Sequence, residues 1–448
     1  MNTTPYKQGN VSVHQKHRLL GICLAAIWLL LGCSTQAESN SDIVLKKLER
    51  AISETPFLQP RLDFSAWLKD NQSHFNLHAT TIMEWHKSLS ELQPEDGCEQ
   101  LRQDNLKTHL NLLHNRVKLM NALPEDTNYS GRMSDLPNGK QWYVHWLNSW
   151  LLLDTERSSI TSQIEQLKFI AHEELSRAHP QYLALQDRVA KKPPSGFSRS
   201  QHDSIVHAFK KTEQQIVNHL EQVFGTLPAI PPVRIKPSNL PKSFPAPGIY
   251  NNDNQTFYYH FTDQNFPAES VDWLYLHEAL PGHHLQSYVS RQQSFCPVST
   301  FFPLPLVTAE GWAAYVETLG EQLGVFEQAS SLHYALEWRV LRALRVLIDI
   351  GIHFEGWTDE QALAQWRHYL PDRMSIGRRE LARIKRWPVQ VITYVYGKHH
   401  IETLIQQLLS EYGAEHHATI RNTILRLTNQ PLVSLQTASY FLTRTISK

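Results

Sequence analysis

Val271-Asp272-Trp273-Leu274-Tyr275-Leu276-His277-Glu278-Ala279-Leu280-Pro281-Gly282-His283-His284 is a mostly apolar run of helical length that ends in three histidines around a glutamate. Trp273 to Leu276 and Ala279-Leu280 mark a helix that faces the protein interior, where an unpartnered Glu278 is costly. Two histidines four apart on a helix, with Glu beside the first, are a common zinc-holding pattern. Here the residue four after His277 is Pro281, so the strict pattern fails. His283 lies six residues on, about 600° of helix, which leaves it about 120° from His277 on an undistorted backbone. Pro281 lacks the amide proton that would bond back to His277, and Gly282 tolerates unusual torsions. One residue looped out of a continuous helix therefore aims both imidazoles at one point. His284, seven residues on, returns to within about 20° of His277 with no distortion. His283 is the favoured ligand, and His284 stays as the alternative.

A hydrolytic zinc site needs two or three ligands, an open position for water and a base that is not a ligand. Glu278 directly follows His277 and fits the base. The third ligand is expected as a carboxylate from another helix, and the run Thr308 to Glu317 offers Glu310 and Glu317. Glu310 is chosen because Gly311 beside it allows close helix approach, while Glu317 suits a partner to a histidine's second ring nitrogen. A single zinc ion is the default cofactor, although imidazole and carboxylate ligands also accept manganese, cobalt or iron. The upstream His172-Glu173-Glu174 with His179 has charged flanks and no downstream partner helix, and it reads as a solvated helix end before Pro180. His399-His400 and His416-His417 read as exposed.

Outward from this core, helical spacing recurs along the chain. Before it, Thr108 to Leu123, Trp142 to Leu175 and Ser204 to Phe224 carry apolar residues three and four apart, so residues 33–224 form a helical amino-terminal lobe. Residues 225–250 hold seven prolines, which excludes helix and marks a lobe junction. Val233-Arg234-Ile235 and Thr256 to Phe261 are strand candidates around a turn at Asn251 to Asn254, and a small sheet beside the metal site could line a peptide-binding cleft. Residues 251–448 form the metal-binding lobe, helical from Val271 onward. The fold class is mostly α with a minor β element.

The 448 residues are 41% hydrophobic and 19% charged with a net charge of +0, enough for a large core and without the footprint of a nucleic-acid binder. Lys16-His17-Arg18 followed by the apolar run Leu19 to Leu31 reads as a leader over residues 1–32, too short to span a bilayer. Leu30-Leu31-Gly32-Cys33 resembles a bacterial lipoprotein box, which implies acylation of Cys33, and Ser34 resembles the outer-membrane sorting class. The expected location is therefore the cell envelope, on the periplasmic side of the outer membrane. Cys98 and Cys296 remain, either paired or as buried thiols, and they are too few for a thiolate zinc site.

Four linked blocks resemble a mainly bacterial family, domain of unknown function 885 (DUF885). They are His277 to Gln286; Glu310-Gly311-Trp312-Ala313 with Tyr315 and Glu317; Arg345 with Asp349 to His353 and Gly356-Trp357-Thr358; and Glu380 and Arg383 with Trp387 to Gln390, Tyr394 and Gly397. Ile350 and Val389 depart from the family's frequent Thr and Gly without removing a ligand. The resemblance implies a two-lobed helical fold like that of zinc metallopeptidases, with His277, His283 and Glu310 as ligands and Glu278 as base. It further implies His353 and Tyr394 as candidates to stabilise an oxyanion and Arg383 as a candidate for a substrate carboxylate.

The leading expectation is thus a zinc-dependent envelope peptidase acting on peptides. One alternative directs the same chemistry at peptidoglycan stem peptides. Another is a non-catalytic envelope binding protein, which would be favoured if His284 closed the metal shell as a fourth ligand.

Overall fold

The computed structural model describes residues 40–54, 63–72, 79–153, 159–190, 196–241, 244, 246–292, 295–296 and 305–446. The leader and Cys33 lie outside them. Helices α1 (Asn40–Ser53), α2 (Phe64–Gln72), α3 (Ala79–Ser90), α4 (Gly97–Asn121), α5 (Gly139–Leu151), α6 (Ile160–Ala190) and α7 (His202–Phe224) come first, with the short strand β1 (Gly196–Phe197) before α7. Strands β2 (Arg234–Pro237), β3 (Gly248–Asn251), β4 (Thr256–Tyr259) and β5 (Phe266–Pro267) follow. The remainder is α8 (Val271–Glu278), α9 (His283–Gln292), α10 (Leu306–Glu317), α11 (Ala329–His353), α12 (Asp359–Tyr369), α13 (Met374–Arg386), α14 (Ile392–Tyr412), α15 (His417–Leu427) and α16 (Ala438–Ile446). The chain is mostly α with two small sheets, as its periodicity predicts.

Two helix expectations are corrected. Trp142 to Leu175 is not continuous, because Leu152 turns into the left-handed region at φ 52° and closes α5. Conversely, α6 does not end before Pro180 but runs through it to Ala190. Its packing along α11 outweighs the missing amide. Glu174 bonds to Arg339 at 2.7 Å, and Tyr182, beyond the proline, stacks on His333 with ring centroids 4.4 Å apart. The upstream His-Glu-Glu run is therefore only partly solvated, since Glu174 is buried between Arg339 and Lys398.

The proline-rich segment holds more sheet than expected. β4 is central, parallel to β2 and antiparallel to β3, in the order β2-β4-β3. Gly248 opens β3 because a side chain there would meet Leu274 Cδ1 at 2.9 Å and the Phe257 ring at 3.0 Å. The strand thus lies against α8, with its outer edge free of strand partners among the described residues. β1 and β5 form a separate two-residue pair.

One apolar cluster extends from Phe64 and Trp67 through Trp142, Phe257 and Trp312 to Leu442, so helices on both sides of the proline-rich segment share a core. A smaller cluster joins α1, α3 and α4. Cys98 at the start of α4 is disulfide-bonded to Cys296, closing a separation of 198 residues. Among the described residues no helix is long and apolar enough to cross a membrane.

Candidate metal centre

Helix α8 ends at Glu278, the Leu280–Pro281 peptide bond is cis, and a new helix starts at His283. This corrects the expected one-residue loop in a continuous helix: the backbone breaks at Ala279 (φ −115°, ψ −98°) and folds back on itself. Only glycine fits at 282. A Cβ there would sit 1.9 Å from the His277 carbonyl oxygen and 2.4 Å from that of Leu276. The Trp312 indole N–H donates to the Pro281 carbonyl at 3.0 Å and pins the break to α10.

The break brings His277 and His283 to one point, and α10 delivers Glu310 to it. Helices α10 and α14 cross in backbone contact, since a Cβ on Gly311 would lie 2.5 Å from the Gly397 Cα. One ligand atom from each of His277, His283 and Glu310 lies within 4.8 Å of the others. His277 Nε2 is 3.4 Å and His283 Nε2 3.7 Å from Glu310 Oε2. Zinc bonds of about 2.0–2.2 Å in tetrahedral array separate ligand atoms by roughly 3.4 Å, so the trio fits an ion with little adjustment. Glu310 Oε2 is buried without a hydrogen-bond partner, and among the described residues its ion-pair partners are the two histidines alone.

The charge balance points the same way. Burial resists a charge on His277, but Glu310 and Glu317 outweigh it and lift its pKa to about 9. Glu310, against its burial, is held far below the usual carboxylate range by the two imidazoles. Positive charge is thus favoured beside the Glu310 carboxylate. Glu317 accepts the His277 Nδ1 proton at 2.7 Å and receives Arg342 Nη1 at 2.7 Å on both oxygens. His277 Nε2 is thereby the nitrogen that faces Glu310.

His284 is corrected from alternative ligand to support. It is 1% exposed; its Nε2 donates to the Pro231 carbonyl at 2.8 Å, and its Nδ1 takes the Tyr250 hydroxyl at 3.0 Å. Both ring nitrogens are engaged away from the trio. Glu278, also buried, faces the same cavity as the trio; burial raises its pKa, with the nearby histidines opposing.

That cavity, about 530 Å³, is bounded by β3, α8, α10, α11 and the α13–α14 connection. Tyr394 and Arg383 line it, as does Gln390, which accepts from Arg383 Nη2 at 2.7 Å and donates toward the Tyr394 hydroxyl at 3.4 Å. The Tyr394 ring stands 6.4 Å from that of His277. His353 does not join them. It is fully buried, its Nδ1 accepts the Met133 N–H at 3.2 Å, its Nε2 donates to the Ile384 carbonyl at 3.0 Å, and burial lowers its pKa to about 4. It is a neutral cross-link between backbone segments, which corrects its expected role at an oxyanion. Arg342 and Arg345 also line the cavity without having been assigned a role. Two arginines three apart within the apolar stretch of α11 were the available signal.

The family model for the bacterial protein of unknown function DUF885 matches residues 38–420. The chain belongs to DUF885. Its fold is similar to that of a "putative lipoprotein from Colwellia psychrerythraea", at a TM-score of 0.60 and 20% identity, over 89% of this chain and 69% of that one. It is also similar to a "putative lipoprotein of unknown function from Shewanella oneidensis", at 0.54 and 17%, over 91% and 80%. No curated protein sequence matches significantly. In this DUF885 chain Val389 has φ 72°, a conformation that glycine adopts more easily, and its N–H donates to buried Asp349 at 2.8 Å.

Proposed function

We propose that this chain is a zinc-dependent peptidase of the cell envelope. The observation that carries the reading is the convergence of His277 Nε2, His283 Nε2 and Glu310 Oε2 beside the carboxylate of Glu278, at the wall of one cavity. With His284 turned away, three protein ligands leave room for a water, the mark of a catalytic rather than a structural site. A bound zinc ion would polarise a carbonyl and lower the pKa of a water.

The chain's own residues supply the rest. Glu278 takes a proton from the attacking water and returns it to the departing amine. The Tyr394 hydroxyl donates to the carbonyl oxygen as negative charge grows there, a role whose loss typically costs about 100-fold in rate. The outer edge of β3 offers backbone groups to an extended substrate, as sheet edges do in peptide recognition. Arg383 is positioned for a substrate carboxylate. The two-lobed arrangement of metallopeptidases, with a cleft between lobes, belongs to the same proposal, as do acylation at Cys33 and an outer-membrane position facing the periplasm. The likeness to proteins described as lipoproteins supports the anchor.

The test is Glu278→Gln. The variant is expected to bind zinc as the unaltered protein does and to lose turnover of a mixed peptide library, read by mass spectrometry. Unchanged turnover would overturn the mechanism.

A further inference from the structure

At the wall of the cavity two guanidinium groups share one carboxylate. Arg345 takes both oxygens of Glu380, at 2.8 Å through Nε and 2.6 Å through Nη2. Arg383 reaches the same carboxylate only at 3.9 Å, and its shortest hydrogen bond among the described residues is to the neutral amide oxygen of Gln390 at 2.7 Å. The third arginine of the cavity, Arg342, is neutralised by Glu317. The Arg345–Glu380–Arg383 group therefore carries a surplus positive charge. Arg383 is 7% exposed, and its Nε is buried without a hydrogen-bond partner among the described residues. Glu380, Tyr394 and Glu310 already outweigh burial and hold Arg383 charged, and guanidinium donors left without an acceptor are a ready partner for a further carboxylate.

The surplus lies close to the hydrolytic groups. Gln390 joins Arg383 to Tyr394, whose ring stands beside His277. Aromatic faces flank it, with Trp387 5.5 Å from the Arg383 guanidinium and Trp338 5.5 Å from that of Arg345. A carboxylate with an apolar side chain next to it matches this end of the cavity, and guanidinium groups bind carboxylates with well-defined geometry.

We infer that the substrate is a peptide with a free C-terminal carboxylate, held by Arg383, and that the enzyme removes the last residue. The inference rests on the peptidase reading and says which end of the peptide is attacked. Water adds its oxygen to the carbonyl carbon of the final peptide bond, and the C–N bond breaks. A proton goes to the nitrogen, so the products are a shortened peptide with a new carboxylate and a free amino acid.

Three peptides that differ only at the carboxyl end test it with the zinc-loaded protein: one ending in L-alanine as the free acid, the same one amidated, and one ending in D-alanine as a peptidoglycan stem does. Mass spectrometry is expected to find the terminal residue released from a free-acid form and the amide cut at least about tenfold more slowly. Preference for the D-alanine form would assign the substrate to the cell wall. Internal or amino-terminal cutting, or equal rates for acid and amide, would overturn the inference and leave the peptidase reading standing. If no peptide is cut, that reading fails, and calorimetry on Glu278→Gln decides the carboxylate site by itself. The free acid is expected to bind at least about tenfold more tightly than the amide. Arg383→Gln is expected to abolish this difference with zinc content unchanged, and Arg383→Lys to restore part of it. Equal affinities would overturn the site.

Discussion

Glu317 takes the Nδ1 proton of His277 at 2.7 Å, and this one contact decides which nitrogen of that ring faces Glu310. Partners of this kind fix the tautomer of a ligating histidine, and losing one typically costs about 10–100-fold in metal affinity. Glu317→Gln is expected to weaken zinc binding by about that factor, measured by competition with a chelating dye. The substitution also leaves Arg342 without its anion, so the fold should be checked by circular dichroism in the same samples.

His283 and His284 are neighbours whose rings face different partners, Glu310 for His283 and the Pro231 carbonyl for His284. His283→Ala should abolish stoichiometric zinc binding. His284→Ala should leave zinc content intact but lower stability by about 1–3 kcal/mol, because the Tyr250 hydroxyl and the Pro231 carbonyl lose a buried partner. Metal analysis paired with urea unfolding separates the two. Loss of zinc in His284→Ala would reverse the assignment.

Asp349 sets a pH dependence. It is fully buried, accepts from the Tyr143 hydroxyl and the Val389 N–H at 2.8 Å each, and burial outweighs these bonds to raise its pKa to about 7 from 3.8. Between those values the folded protein holds a proton that the unfolded chain has released. Its contribution is therefore fully present below pH 3.8 and is lost as pH rises toward 7, with a slope of at most about 1.4 kcal/mol per pH unit. Asp349→Asn should flatten this part of the stability profile in denaturant titrations run from pH 4 to 8.

The convergence of His277, His283 and Glu310 was legible because His277-Glu278 and His283 stand on one short segment and Glu310 precedes a glycine that lets its helix close in. The break between the histidines was harder to read. Pro281 and Gly282 signal a distortion, but whether the helix bulges or stops depends on the fold-back onto the His277 carbonyl and on the Trp312 indole, which comes from a distant helix. β3 was hidden because prolines crowd the residues just before it and because Gly248 is dictated by Leu274 and Phe257 rather than by strand propensity. His353 was misread for a related reason. Its partners are backbone groups of Met133 and Ile384, and no side-chain pattern announces those. The sharing of Glu380 by Arg345 and Arg383 likewise depends on how α11 meets α13.

The most direct test of the account is the zinc content of the purified protein and of its His277→Ala, His283→Ala and Glu310→Ala variants, measured by elemental mass spectrometry after dialysis against trace zinc. One zinc ion per chain is expected in the unaltered protein, with stoichiometric binding lost in each variant. A protein that binds no zinc, or variants that all keep it, would contradict the metal centre and the hydrolytic function built on it.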